Sequence, residues 1–449
     1  MCMKNRILNL LLMSLSALVC FSCCTKNNEA TGTKKDEFTR NAVIYEVNLR
    51  QYTEEGTINA FVEHLPYLKE LGVDILWFMP VHPISELNRK GELGSYYAVK
   101  DYKAVNPEFG TLEDFKNMVK QAHSLGMKVI IDWVANHTGC DNAWIEEHPT
   151  WYEYEDGKFV SPWDWTDTYS LDYDNEEMRA GMIDAMKFWL KEADIDGFRC
   201  DVAFLVPVDF WDEARAELDK VKPVFMLAEA TEKELTDKAF DMVYNWPLLF
   251  TLDNICKGSN SVNDLINLSK KQLSDLAPDA YYMNHITNHD RNSWDGTEFE
   301  RYGAAVKSFA VMSYIWPGMP LIYTGQEVGM NRRLEFFVKD TPPAKEKNDW
   351  YEFYKSLNDL KHKSNALKAG EAGGKTTIYP TTNPNVLVIS RELAEENIVY
   401  IANISNEEVR FHFEEDAPQG EFENFFTEEK VLLPAAFKLA PWDFILLTK

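Results

Sequence analysis

The sequence predicts an α/β chain: a (β/α)8 barrel with a short domain inserted after its third strand and a C-terminal antiparallel β-sandwich. Three observations predict it. Eight short apolar runs alternate with longer segments of helical spacing. An aromatic-rich excursion interrupts the third of these units, and from about Gly370 the pattern changes to short alternating strands.

The apolar runs are Ala42–Asn48, Val73–Met79, Lys128–Val134, Asp196–Val202, Val224–Ala228, Phe240–Trp246, Tyr282–Thr287 and Pro320–Thr324. Between them lie helix-like stretches, the clearest carrying Leu112, Phe115, Met118, Val119, Ala122 and Leu125 on one stripe. Gly72 and Gly126 fall where such helices should stop. Strands alternating with helices imply a parallel sheet, and eight such units close into a barrel. The barrel is expected over residues 37–136 and 171–369, the inserted domain over 137–170 and the sandwich over 370–449. The insert holds Trp144, Trp151, Trp163 and Trp165, which either line a binding site or fill the insert's own core.

Composition narrows the function. With 45% hydrophobic residues and dispersed glycine and proline, 449 residues can bury an ordinary core. A net charge of −26 disfavours nucleic acid as a partner, because an acidic surface repels polyanions; neutral sugars meet no such penalty.

Residues 1–36 read as a leader and linker. Lys4 and Arg6 precede an apolar stretch, Ile7 to Val19, too short to span a bilayer with ordinary flanks. Ser22-Cys23 behind it is similar to a bacterial lipoprotein cleavage site. Cys23 is therefore the expected lipidated residue, with Cys20 and Cys24 as alternatives and a plain cleaved signal peptide as the competing reading. The expected location is the cell envelope of a Gram-negative bacterium, lipid-anchored to a membrane (the outer one) or periplasmic. Beyond the leader only Cys140, Cys200 and Cys256 remain, with neither disulfide-framework nor metal-ligand spacing.

The chemistry is carried at the strand ends. In the fourth run Gly197, Arg199 and Asp201 share one face, and Phe198, Cys200 and Val202 the other. A charged pair inside a central strand is either a structural ion pair or part of a site. The fifth run ends in Glu229, the seventh leads into His289-Asp290, and the third runs from Asp132 through Asn136 to His137. All four thus put acids or imidazoles on the C-terminal rim, where barrel enzymes keep their sites. Two carboxyls facing each other across a glycosidic bond, one ionised and one protonated, are the minimum for its hydrolysis.

Asp132-Trp-Val-Ala-Asn-His137, Gly197-Phe-Arg-Cys-Asp201, Leu227-Ala-Glu229 and Asn288-His-Asp290 resemble the four short signatures of glycoside hydrolase family 13, the α-amylase family. Gly94 to Tyr102 and Asn106 to Thr111 are similar to its second strand–helix loop, and Pro317 to Glu327 to its eighth strand. The resemblance implies Asp201 as nucleophile, Glu229 as acid/base and Asp290 as the third carboxylate, gripping sugar hydroxyls. It implies that Arg199 orients Asp201 and that Asp132 holds the local network. His137 and His289 would bind the sugar at the point of cleavage, which would stack on Tyr97, a residue that without the motif reads as a core tyrosine. The expected reaction is retaining hydrolysis of α-1,4-glucosidic bonds in starch-type glucans or maltooligosaccharides. Transglycosylation and non-catalytic glucan binding are the alternatives.

Two departures matter. Where many members carry Lys-His after the nucleophile, this chain has Phe204-Leu205, which leaves the leaving-group side open to either hydrolysis or transfer. Asn136 matches a family calcium ligand, but Ser170 stands where a carboxylate is usual, and the loop from Tyr52 to Ala60 lacks an Asp/Asn ladder. No cofactor is expected to be required; Asn136 would be a ligand if calcium were bound.

Overall fold

The eight runs become eight parallel strands. In the computed structural model, which describes residues 37–414 and 416–449, these are β1 (Ile44–Val47), β2 (Ile75–Phe78), β3 (Lys128–Trp133), β4 (Gly197–Cys200), β5 (Phe225–Ala228), β6 (Met242–Tyr244), β7 (Tyr281–Asn284) and β8 (Met319–Tyr323). Each pairs with its neighbour in sequence, and β1 pairs with β8, closing a TIM barrel. Cys23 and the rest of the leader lie outside the described residues. Among those residues no helix is long and apolar enough to cross a membrane.

Strand alternation sorts the side chains. Ile44, Ile75, Trp77, Ile130, Leu227 and Met283 point inward and fill the barrel. Val43, Tyr45, Leu76, Phe78, Val129 and Ile131 point outward to the surrounding helices. Those helices include α1 (Leu65–Leu71), α2 (Leu112–Ser124), α3 (Glu176–Glu192), α4 (Val208–Leu218), α5 (Trp246–Cys256), α6 (Val262–Gln272), α7 (Val306–Ile315) and α8 (Asp349–Lys363). The stripe read on α2 is its buried face, and Thr111 and Asp114 close a reciprocal capping box at its start. Gly72 ends α1 in the left-handed conformation, at φ 95°.

The structure corrects the sequence reading in two places. The strands are shorter than their apolar runs, and Trp246, placed in the sixth run, instead opens α5 after the cap at Asn245. The unit between β5 and β6 holds only a single-turn helix, Lys233–Thr236, because that stretch is polar and has no apolar stripe to pack.

Between β3 and α3 the chain forms the excursion foreseen there, with a ribbon of His137–Gly139 against Thr168–Ser170. Its tryptophans divide. Trp144 and Trp151 pack edge to face at 5.1 Å and fill the local core, whereas Trp163 is 62% exposed and Trp165 lies against His137.

Past residue 370 come β9 (Lys375–Ile378), β10 (Val386–Leu393), β11 (Glu396–Asn403), β12 (Val409–Phe411), β13 (Glu421–Asn424), β14 (Lys430–Leu432), β15 (Phe437–Leu439) and β16 (Phe444–Thr448). Six of them make one antiparallel sheet in the order β9-β10-β11-β16-β13-β14, and β12 pairs with β15. Val388, Val399, Ile401 and Leu447 on one face of the sheet pack on Phe411, Phe437 and Leu439 of that ribbon. The other face packs on the barrel, where the Tyr400 hydroxyl donates to the Ser308 carbonyl of α7 at 2.9 Å.

Candidate active site

Inward alternation brings charge to the top of the barrel. Ile44 and Ile130 fill the layer below, so Glu46 and Asp132, two residues further along their strands, point into the next layer. Register sets Asp132 beside Arg199 across β3 and β4. Gly197 starts β4 because a side chain there would meet the Phe225 carbonyl oxygen at 1.9 Å.

Arg199 is the hub of the site. Its guanidinium is fully buried; Nη1 donates to Asp132 Oδ1 at 2.8 Å and to Asp201 Oδ1 at 2.9 Å, and Nε donates to the Tyr244 hydroxyl at 3.0 Å. Nη2 lies 2.8 Å from Glu229 Oε2 but without the alignment of a hydrogen bond. The guanidinium also sits 5.1 Å from the Trp77 ring and 5.4 Å from that of Tyr244. Directly after Asp201 the backbone turns sharply. Val202 takes φ 37°, a strained value for a β-branched residue, and its N–H donates to Glu229 Oε2 at 2.9 Å.

The opposite wall is built on His289. Its Nδ1 is 2.5 Å from Glu46 Oε1, its Nε2 is 2.7 Å from the Tyr97 hydroxyl, and Asp290 Oδ2 is 3.4 Å away. The Tyr97 hydroxyl donates to Asp132 Oδ2 at 3.1 Å, and its ring stacks on His289 at 5.5 Å. Tyr97, His137, Asp201, Glu229, His289 and Asp290 all line one cavity of about 380 Å³. Asp132 and Arg199 lie beneath it. Every site residue expected from the sequence, except Asn136 and Cys23, is thus gathered at one cleft. Glu46 was missed; its signal was a carboxylate on the inward face of an apolar run.

Burial raises the Asp201 carboxyl well above its usual range; Arg199 opposes this, while Glu229, Asp132 and Asp290 add to it. Burial likewise raises Glu229, opposed by Arg199 and reinforced by Asp290. Asp132 and Glu46 are raised by burial too. Several carboxyls around one guanidinium cannot all ionise, so protons are retained among them. Burial keeps His137 neutral, with a pKa of about 4.

His289 goes the other way. Burial would lower it, but the charges of Asp290 and Glu46 outweigh that and carry it up to about 9. A cation favoured by the fold adds stability that is complete below pH 6.5 and is lost as pH rises through about 9. We expect the stability difference between wild type and His289→Gln to shrink by about 3 kcal/mol over that window. Urea unfolding at several pH values measures it; a difference independent of pH contradicts the charged His289–Glu46 pair.

Asn136 lies apart from the cleft. Its amide nitrogen is 3.2 Å from His137 Nδ1, and it lines a second cavity with Glu153, Ser170, Asp172 and Asp174. Among the described residues no group of three or more His, Cys, Asp or Glu side chains is arranged to hold a metal. These residues do not make a complete calcium shell. Cys140, Cys200 and Cys256 are unpaired thiols.

The family model described as the catalytic domain of alpha amylase matches residues 26–170 and 148–345. The chain is 24% identical over 449 residues to alpha-amylase 3 of Dictyoglomus thermophilum, covering 83% of this chain and 87% of that one. It is 26% identical over 411 residues to a maltogenic alpha-amylase of Bacillus acidopullulyticus, covering 84% and 68%. Among solved structures, an alpha-amylase from Lactobacillus plantarum is 30% identical with a TM-score of 0.82, over 92% of this chain and 100% of that one. A noncanonic maltogenic alpha-amylase from Thermotoga neapolitana is 28% identical with a TM-score of 0.83, over 92% and 99%.

Proposed function

Because this chain belongs to the alpha-amylase family and is an amylase-type glycoside hydrolase, we propose that it cleaves α-1,4-glucosidic bonds of starch-type glucans or maltooligosaccharides with retention of configuration. The observation that carries this reading is one buried guanidinium lying 2.9 Å from Asp201 and 2.8 Å from Glu229. Two carboxyls within reach of one guanidinium suit the roughly 5 Å spacing of a retaining pair.

In this reading Asp201 attacks the anomeric carbon and Glu229 protonates the departing oxygen. Burial raises both carboxyls, so a proton is retained between them. The hydrogen bonds decide which one holds it. Asp201 accepts an aligned, charge-assisted bond from Arg199, while Glu229 has only the Val202 amide and an unaligned contact. Charge-assisted bonds are about twice as strong as neutral ones, so we assign the proton to Glu229. The attack on C1 forms a glycosyl ester on Asp201 and breaks the C1–O bond as the Glu229 proton moves to the leaving oxygen. Water, deprotonated by Glu229, then cleaves the ester and returns the proton. Tyr97 offers its ring to the sugar at the point of cleavage; His137, His289 and Asp290 bind its hydroxyls. Arg199 and Asp132 hold Asp201 in place.

Maltoheptaose incubated with the enzyme in excess chelator tests this. Shorter products that appear first as α-anomers are expected. First-formed β-anomers would refute retention, products longer than the substrate would make the enzyme a transglycosylase, and activity restored only by calcium would refute a metal-free reaction.

We also propose the Gram-negative envelope, with Cys23 lipidated. The apolar stretch Ile7 to Val19 ahead of Ser22-Cys23 supports this. Labelled palmitate should enter the full-length protein and not its Cys23→Ser variant; equal labelling of both would exclude Cys23.

A further inference from the structure

The two ends of the cleft are built differently. Beyond β4 the rim is open, and Phe204 stands 47% exposed. Across the barrel mouth, after β8, residues 332–340 cross the site as a strap tied to three other loops. Gln51 Nε2 donates to the carbonyls of Glu335 and Val338, each at 2.7 Å, and Arg50 Nη1 donates to that of Phe336 at 3.1 Å. The Leu93 N–H donates to the Phe337 carbonyl at 2.8 Å. Ser293 Oγ donates to the Leu334 carbonyl at 2.9 Å, and Asn292 Oδ1 accepts from the Leu334 N–H at 2.7 Å.

The strap presents Phe336 and Phe337 to the cleft. Phe336 stacks parallel to Tyr97 at 6.4 Å, and Trp294 closes on Phe336 at 5.2 Å and on Phe337 at 5.8 Å. The gap between strap and insert is bridged by Lys90, which pairs with Asp167 at 3.1 Å. Asn88 Nδ2 adds a bond to the Thr166 carbonyl at 3.2 Å. All of these but Asn88 and Thr166 line the same cavity as Asp201 and Glu229.

Direction follows from barrel order. Glu229 stands at the tip of β5, across the ring from β1 and β8, so the leaving group departs on the β4–β5 side. The sugars on the non-reducing side of the broken bond then run toward the strap. We infer that this aromatic wall stops the glucan one or two sugars past the scissile bond, so that the enzyme works from the non-reducing chain end. The inference rests on the assignment of Asp201 and Glu229 made above.

The test compares two maltoheptaosides, one free and one capped by a benzylidene group on its non-reducing sugar. A walled cleft should cleave the capped one slower by on the order of a hundredfold. Phe337→Ala, monitored by thermal unfolding to establish that it folds, should recover about tenfold of that loss as the wall opens. Equal cleavage of both substrates by wild type would overturn the inference and leave the hydrolase reading standing. Cleavage of neither would defeat the hydrolase reading first. A folded Phe337→Ala with undiminished discrimination would remove Phe337 from the wall.

Discussion

Glu229→Gln is expected to lower kcat on maltooligosaccharides by roughly 10²–10⁴-fold, the usual contribution of a general acid–base group. The amide keeps the Oε2-side contact to the Val202 N–H, so the fold and the cleft should persist. It cannot release a proton. The loss should therefore depend on the leaving group: a maltosyl fluoride, whose fluoride departs without protonation, should still form the ester at near wild-type rate. Because Glu229 holds the proton while Asp201 is ionised, the neutral amide should leave the acid limb of the residual activity in place and remove the basic limb, which reports loss of that proton. Pre-steady-state rates with the two substrates measure the first effect. Equal losses with both would remove Glu229 from the proton transfer.

Asp201→Asn should cost more, on the order of 10⁴–10⁶-fold, and should do so with every leaving group. No activated substrate can replace the bond that Asp201 makes. Arg199 would still pair with Asp132 at 2.8 Å, which limits the damage to stability. Substrate binding should survive, since Tyr97, His137, His289 and Asp290 are untouched. A Kd for maltoheptaose within about tenfold of the wild-type KM, with turnover gone, is the expected pattern; isothermal titration on the folded variant measures it. Turnover within a hundredfold of wild type would exclude Asp201 as nucleophile.

How much of this was legible in the sequence differs by residue. The eight strands could be read because both faces of a barrel strand are buried, which leaves short apolar runs. Asp201 and Arg199 stood out because their shared parity put charge on an inward face. Glu229, His289 and Asp290 stood out because they end such runs. Glu46 obeys the same parity, but it lies within its run, not at the end, where nothing in the pattern marks it. The strap could not be read at all. Phe336 and Phe337 sit in a segment with no periodicity, and their place is fixed by Arg50 and Gln51, 286 and 284 residues away along the chain. The insert tryptophans were undecidable for a related reason: whether Trp151 packs inward or Trp163 outward depends on loop path, which local pattern does not encode.

Hydrolysis with retention requires that sugar become covalently bonded to Asp201. A fluorinated maltosyl fluoride that forms the ester quickly and loses it slowly should trap that state, and mass spectrometry of the digested protein locates it. One maltosyl group per chain is expected, carried on Asp201 and absent from the Asp201→Asn variant. A label on any other carboxylate, or inactivation without a covalent label, would contradict it.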